Sequence, residues 1–278
     1  MSVAAHVVEA HGARIPLVGL GTWELRGRVC TRIVEQALRL GYRHVDTAEL
    51  YDNESEVGEG LRAAGIAREE VFITTKVWPS HFAPRDLERS AQASLERLRL
   101  SHLDLLLLHW PNPQIPLRDT LGALCKVKRA GLARHIGVSN FTVALIEQAV
   151  KLANEPLVCN QIEVHPFIDQ SKVIAACRRH GMATVAYSPV ARGGVSGHQL
   201  LARIGQAHGK TAAQVSLRFL VQRRIVVIPR TSRRERLSEN LAIFDFELSE
   251  AEMAEIARLA GRDGRIVDYA YAGSPQWD

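Results

Sequence analysis

Seven residues, Leu103-Asp-Leu-Leu-Leu-Leu-His109, constrain the fold more than any others. A run this apolar reads as a strand buried on both faces, the condition of a parallel sheet covered by helices. It is one of a series. His44 to Asp46, Val71 to Lys76, His135 to Ser139, Leu157 to Ile162, Ala183 to Tyr187 and Val226 to Pro229 read as further short strands, with Leu17 to Gly19 as the first.

Between them the period switches to three or four residues. Val29, Ile33, Ala37 and Leu40 mark one stripe of a helix from Arg28 to Leu40, with Gly41 as its C-cap. Glu54 to Ala64 follows, with Asn53 as a candidate N-cap and Gly65 as the stop. Leu87, Ala91, Leu95 and Leu98 mark a helix opened by Pro84, where proline suits the first turn. Helices are also expected over Leu117 to Ala130, Val143 to Ala153 and Val173 to Arg179. Two patterns, Gln199 to His208 and Ala212 to Gln222, stand where one would do, and Arg234 to Ala242 and Glu250 to Ala260 close the series.

Eight strands alternating with helices in 278 residues point to a (β/α)8 TIM barrel with extra C-terminal helices. Ala5 to Ile15, turning at His11-Gly12, reads as an N-terminal β-hairpin at the barrel bottom. A doubly wound open sheet would want G-x-G-x-x-G after its first strand, and Gly19-Leu-Gly21-Thr-Trp-Glu24 lacks the third glycine. No linker or composition break divides the chain, so residues 1–278 read as a single domain.

Three successive strands end on a polar group. Strand two delivers Asp46, with Tyr51 on the loop beyond; strand three delivers Lys76 and strand four His109. In a barrel these C-terminal tips are neighbours at the face where active sites lie. A free tyrosine, with a pKa of about 10, is a poor acid at neutral pH. The Lys76 ammonium is expected to favour the phenolate and lower that value, with Asp46 holding the lysine charged and His109 orienting a carbonyl oxygen. Taken singly, an ion pair, a core histidine and a pocket-lining tyrosine would each explain one residue. Four at successive tips favour a proton donor and oxyanion site.

No side chain supplies a hydride, so such a site needs a cofactor. Barrels commonly bind phosphate in the loops after strands seven and eight. There, Ile228-Pro-Arg-Thr-Ser-Arg-Arg-Glu-Arg-Leu-Ser-Glu-Asn240 offers arginines, hydroxyls and a helix start. Arg230 and Arg236 are the leading phosphate ligands; a solvated basic face is the other reading of the segment.

These motifs together are similar to those of the aldo-keto reductase superfamily. Asp46-Thr-Ala-Glu-Leu-Tyr51, Ile73-Thr-Thr-Lys76, Leu108-His-Trp-Pro111, Gly137-Val-Ser-Asn-Phe141, Asn160-Gln-Ile-Glu163, Tyr187-Ser-Pro189 and Ile228-Pro-Arg230 with Arg236, Glu239 and Asn240 carry the resemblance from about Gly12 onward. The short loops and the Pro275-Gln-Trp-Asp278 ending resemble the bacterial branch that acts on 2,5-diketo-D-gluconate and methylglyoxal. The resemblance implies NADPH-dependent reduction of small aldehydes and ketones without metal. It makes Tyr51 the proton donor, tuned by Asp46 and Lys76, with His109 orienting substrate. It places the nicotinamide carboxamide on Ser139, Asn140 and Gln161, the nicotinamide ring on Tyr187, and the pyrophosphate near Ser188. Arg230, Thr231, Ser232 and Arg236 would cradle the 2′-phosphate, and Glu239 and Asn240 the adenine. Arg230 stands where the family often has lysine, and Pro189-Val-Ala191 replaces a usual Pro-Leu-Gly. A non-catalytic NADPH-binding sensor of the same fold is the alternative, against which the intact Asp46, Tyr51, Lys76 and His109 set argues.

Trp23, Trp78 and Trp110 fall on loops facing the same pocket, as aromatic walls or as covers of the barrel mouth, and Tyr269, Tyr271 and Trp277 of the tail are candidates for a further wall. The composition fits a globular core: 46% apolar and 23% charged residues, with a net charge of +5. That surplus suits anionic ligands. The Arg223-Arg224 and Arg233-Arg234 pairs lack interleaved aromatics, so nucleic acid is not expected. Cys30, Cys125, Cys159 and Cys177 form no C-x-x-C pair and read as free thiols. A metal barrel would want two histidines one residue apart after strand one, and Gly19-Leu-Gly21 has none. With no secretory signal and no membrane-length apolar run, a cytoplasmic protein is expected, and the resemblance implies a monomer.

Overall fold

A computed structural model describes residues 6–269 and 274–278. Eight parallel strands form one sheet in the order of the chain: β3 (Leu20–Gly21), β4 (His44–Asp46), β5 (Phe72–Val77), β6 (Leu103–Leu108), β7 (Ala133–Ser139), β8 (Leu157–Glu163), β9 (Ala183–Tyr187) and β10 (Val226–Val227). Parallel bridges from Val18 to Val227 and from Gly21 to Arg230 join the first strand to the last and close the barrel. Gly21 is required at that seam, because an added Cβ would lie 2.7 Å from the Ile228 carbonyl oxygen. Every residue of β5, β6 and β8 is buried, as a sheet covered on both faces demands. Truncating one of the β6 leucines to alanine would cost about 2–5 kcal/mol.

The helices α1 (Gly27–Arg39), α2 (Glu54–Ala64), α3 (Pro84–Leu98), α4 (Leu117–Arg129), α5 (Val143–Leu152), α6 (Ser171–Arg179), α7 (Gln199–His208) and α8 (Ala212–Gln222) intervene between strands; α9 (Arg234–Leu241) and α10 (Glu250–Ala257) follow β10. None of the described helices is long and apolar enough to cross a membrane. An antiparallel hairpin, β1 (Val7–Ala10) and β2 (Ala13–Pro16), precedes the barrel. Arg224, just before β10, donates to the Val7 carbonyl, which sets the hairpin against the N-terminal strand ends.

Local details depart from the sequence reading. The first strand forms its ladder at Leu20–Gly21, while Leu17 to Gly19 meets β10 only through the Val18 bridge and flanking backbone bonds. On α1 the buried stripe is Cys30, Ile33, Val34, Ala37 and Leu38, and Val29 and Leu40 face solvent. Packing against α2 rotates the contact face by about one residue. Asn53 precedes α2 without capping it through its side chain. Instead Asn53 accepts from the Thr47 hydroxyl (2.8 Å) and donates to the carbonyls of Thr22 (2.8 Å) and Leu25 (3.0 Å). It thus ties the exit loops of β3 and β4 together.

Candidate active site

Parallel register places Asp46 beside Thr74 on adjoining strands, and the C-terminal ends of β3 to β10 open onto one cleft of about 850 Å³. That volume suits an extended small molecule. At its floor the fully buried Lys76 ammonium donates to Asp46 Oδ1 (2.5 Å) and to the Thr47 carbonyl (2.8 Å), and stands 3.4 Å from the Tyr51 hydroxyl. Asp46 Oδ2 accepts from Gln161 Nε2 at 2.7 Å, a bond that crosses the barrel interior from β8 to β4. A buried charge is tolerable only when so paired and hydrogen-bonded.

Tyr51 rides on a single 3-10 turn, Glu49–Tyr51, ended by Asp52 in a left-handed conformation. Arg26 donates to the Tyr51 carbonyl. Glu49 accepts from the Trp78 backbone N–H, from Ser90 and from His81 (3.1 Å), so the turn carrying Tyr51 and the loop carrying Trp78 are held by one carboxylate. The rings of Tyr51 and Trp78 both meet His109 edge-on, at 5.6 and 5.2 Å.

The protonation states differ from the sequence expectation. Burial raises the Tyr51 pKa well above the usual tyrosine value, and the Asp46 charge adds to the rise. Desolvation outweighs the ammonium, so Tyr51 is a neutral phenol rather than a poised phenolate. Burial also lowers Lys76 from the usual lysine value, with Asp46 opposing. His109 is pushed well below the usual histidine value by burial and then by Lys76. Its imidazole is neutral, and its Nδ1 is buried without a hydrogen-bond partner among the described residues.

Beyond β7, Asn140 adopts φ 62°, a left-handed conformation that asparagine tolerates. From there Nδ2 donates to the His109 carbonyl (2.9 Å) and the Ser139 hydroxyl (3.1 Å), while Oδ1 accepts from the Tyr187 hydroxyl (2.8 Å). Ser139 in turn donates to the Gln161 carbonyl at 2.8 Å. Ser139, Asn140, Gln161, Tyr187 and Ser188 thus form one connected patch of cleft wall.

At the other end lie Arg230, Thr231, Ser232, Arg236 and Asn240. Arg230 donates to the carbonyls of Trp23 (3.1 Å) and Glu24 (3.4 Å). Arg236 pairs with Glu239 at 2.8 Å, and Glu239 also accepts from Thr211. Glu239 and Lys76 stand behind the cleft surface rather than on it, while Trp23, Trp78 and Trp110 line it.

Sequence reasoning missed Arg192 and Val267. Arg192 lines the cleft and lies 4.7 Å over the Trp23 ring, from a loop where Ser188, Ala191 and Arg192 all have positive φ. The departure from the usual glycine at Ala191 was the one signal for it. Val267 of the tail also lines the cleft; beside it Tyr269, one of the tail residues expected as a further wall, lines it as well, and Trp277, another, packs against Trp110. Tyr271 lies outside the described residues.

A sequence model of the aldo/keto reductase family matches residues 17–260. The chain belongs to that family and is a carbonyl reductase of it. It is 38% identical to the methylglyoxal reductase DkgB of Escherichia coli O157:H7, over 95% of this chain and 99% of that one. A crystal structure solved under the name 2,5-diketo-D-gluconic acid reductase B superposes with a TM-score of 0.96 at 47% identity, covering 98% and 97% of the two chains. A Bombyx mori aldo-keto reductase in complex with NADP superposes at 0.89 with 33% identity, covering 95% of each chain.

Proposed function

We propose that this single-domain barrel reduces small aldehydes and ketones with NADPH, and that Tyr51 delivers the proton. The observation that carries the reading is the Lys76 ammonium, 3.4 Å from the Tyr51 oxygen and locked by Asp46, at the floor of a cleft that runs to an arginine cluster. Methylglyoxal and 2,5-diketo-D-gluconate are the substrates favoured by the names of the similar proteins.

The residues present fit the cofactor. Arg230, Thr231, Ser232 and Arg236 offer charge and hydroxyls for a 2′-phosphate, with Glu239 and Asn240 beside them for the adenine. The amides of Asn140 and Gln161 with Ser139 suit the carboxamide, the Tyr187 ring the nicotinamide face, and Ser188 the pyrophosphate. When bound, NADPH supplies the hydride that the carbonyl carbon accepts.

The chain's own groups handle the oxygen. As the carbonyl carbon gains a hydride, negative charge develops on its oxygen, and the neutral Tyr51 phenol donates a proton to it. The C=O double bond becomes a C–OH single bond. Lys76 stabilises the phenolate left behind, and Asp46 keeps the ammonium aimed. The neutral His109 imidazole orients the oxygen by hydrogen bonding. Trp78, Trp110 and Trp23 exclude water and supply apolar contact.

The test is NADPH consumption by purified protein with methylglyoxal and 2,5-diketo-D-gluconate offered separately, and with NADH as control. Turnover that prefers NADPH supports the reading. Tight NADPH binding without turnover on any carbonyl would favour a sensor.

A further inference from the structure

Glu163 has no part in that chemistry, yet it is among the most heavily bonded carboxylates in the molecule. It ends β8 and its side chain is fully buried. Oε1 accepts from the backbone N–H of Ile266 (2.8 Å) and from His165 Nε2 (2.9 Å), and Oε2 accepts from the Val267 N–H (2.9 Å). The Arg265 guanidinium lies 3.9 Å away. His165 Nδ1 accepts from the Phe167 N–H, which leaves its proton on Nε2, aimed at the carboxylate. Two of these donors come from a segment about a hundred residues further along the chain.

The same segment touches the loop after β8 twice more. Gly261 exchanges backbone bonds with Phe167 and Asp169. Gly264 passes so close that an added Cβ would lie 1.8 Å from the Phe167 carbonyl oxygen. Immediately beyond the Glu163 bonds, Val267 is buried against Trp110, whose ring also meets Tyr269 at 5.7 Å and Trp277 at 6.0 Å. The stretch of cleft wall that Val267 and Tyr269 form is therefore built on backbone that Glu163 holds.

We propose that Glu163 is a positioning residue for substrate specificity: its carboxylate fixes the Ile266–Val267 backbone so that Val267 and Tyr269 form the outer wall seen by substrates too large to sit wholly at the Tyr51 floor. This rests on the carbonyl-reductase reading above. A small α-oxoaldehyde is held at the floor and depends little on the wall. A bulky aromatic aldehyde spans to it and depends on it strongly. Glutamine at 163 would present an amide N–H to one of the two backbone donors, so one bond becomes a repulsion.

Three full-length variants test this: Glu163→Gln; Ile266→Pro, which removes one donated N–H at a solvent-facing side chain; and Gly264→Ala, which displaces the segment and leaves Glu163 intact. Each is expected to raise KM for 4-nitrobenzaldehyde about tenfold, the scale of one hydrogen bond in a binding wall. KM for methylglyoxal, kcat on methylglyoxal and the Kd for NADPH should each change less than about twofold. The Glu163→Gln/Ile266→Pro double variant should be no worse than the poorer single, because both break the same contact. Tryptic cleavage after Arg265 should be faster in Glu163→Gln and Gly264→Ala, the two variants in which that bond remains a tryptic site. A weaker Kd for NADPH in Glu163→Gln, an equal loss of kcat on both substrates, or multiplying effects in the double variant would overturn the proposal, as would unchanged cleavage. If the wild type reduces neither aldehyde, the functional reading fails, while the cleavage rates still decide whether Glu163 anchors the tail.

Discussion

The Lys76 ammonium and the Tyr51 hydroxyl are 3.4 Å apart, close enough to interact, yet burial keeps the tyrosine neutral. A proton donor for carbonyl reduction needs this pairing. The acid must hold its proton until the oxygen becomes basic, and the base it leaves must be stabilised at once.

Replacing Tyr51 with phenylalanine removes the hydroxyl proposed as the donor and keeps the ring against His109. Steady-state turnover should fall by about 10²–10⁴, the usual contribution of a positioned acid. The Kd for NADPH, measured by fluorescence quenching, should stay within twofold. Retained turnover would remove Tyr51 from the proton-donor role.

Lys76 and Asp46 are separable as stability and as chemistry. Lys76→Met strands a buried carboxylate that keeps, among the described residues, only its Gln161 bond, and should cost about 3–5 kcal/mol in urea unfolding. Asp46→Asn in the same chain should recover much of that stability. Turnover should stay low in both, because the ammonium beside Tyr51 is gone; recovery of activity with stability would make the pair purely structural.

Arg236 and NADPH form the third case. Arg236→Ala should weaken NADPH by about 10- to 100-fold, the value of one charge-assisted hydrogen bond, and NADH by less than about threefold. Equal losses in calorimetric titrations of both cofactors would place the 2′-phosphate elsewhere.

His44 sets a pH limit on the fold. It is buried inside the barrel with Nε2 3.1 Å from Thr74 Oγ1, and burial lowers its pKa from 6.5 to about 4, despite the upward pull of Asp46 and Asp104; Lys76 adds to the fall. The unfolded chain therefore binds the proton first, and stability drops as pH falls from about 6.5 to about 4. The full loss is about 3 kcal/mol. His44→Gln should flatten this part of the urea-midpoint profile. A slope as steep as the wild type's would assign the loss to other groups, His109 among them.

Much of the site was legible because it is local. Strand tips follow from alternation, so Asp46, Lys76 and His109 could be read from where apolar runs end. The glycine-ended helices and the arginine-rich segment after β10 were equally visible. What escaped depends on tertiary partners. Asn53 looks like a helix cap, but its side chain is recruited by carbonyls about thirty residues away. Val29 and Leu40 fit a helical stripe, but α2 docks against the neighbouring one. Charge proximity suggested an acidic tyrosine; only the depth of packing shows that desolvation wins. Glu163 sits in a recognisable motif, while the backbone it holds lies about a hundred residues away and carries no signal of that contact.

The hoop of strands is thinnest where β3 and β10, two residues each, meet through Gly21 and Arg230. Arg230 also reaches across to the carbonyls of Trp23 and Glu24, so the join between the first and last strands is itself part of the cleft. A ligand lying there would work as a rivet across the seam. Its departure would leave amides of Gly19 and Gly21 as the first to trade hydrogen for deuterium, and its return would slow that exchange before the rest of the sheet responded.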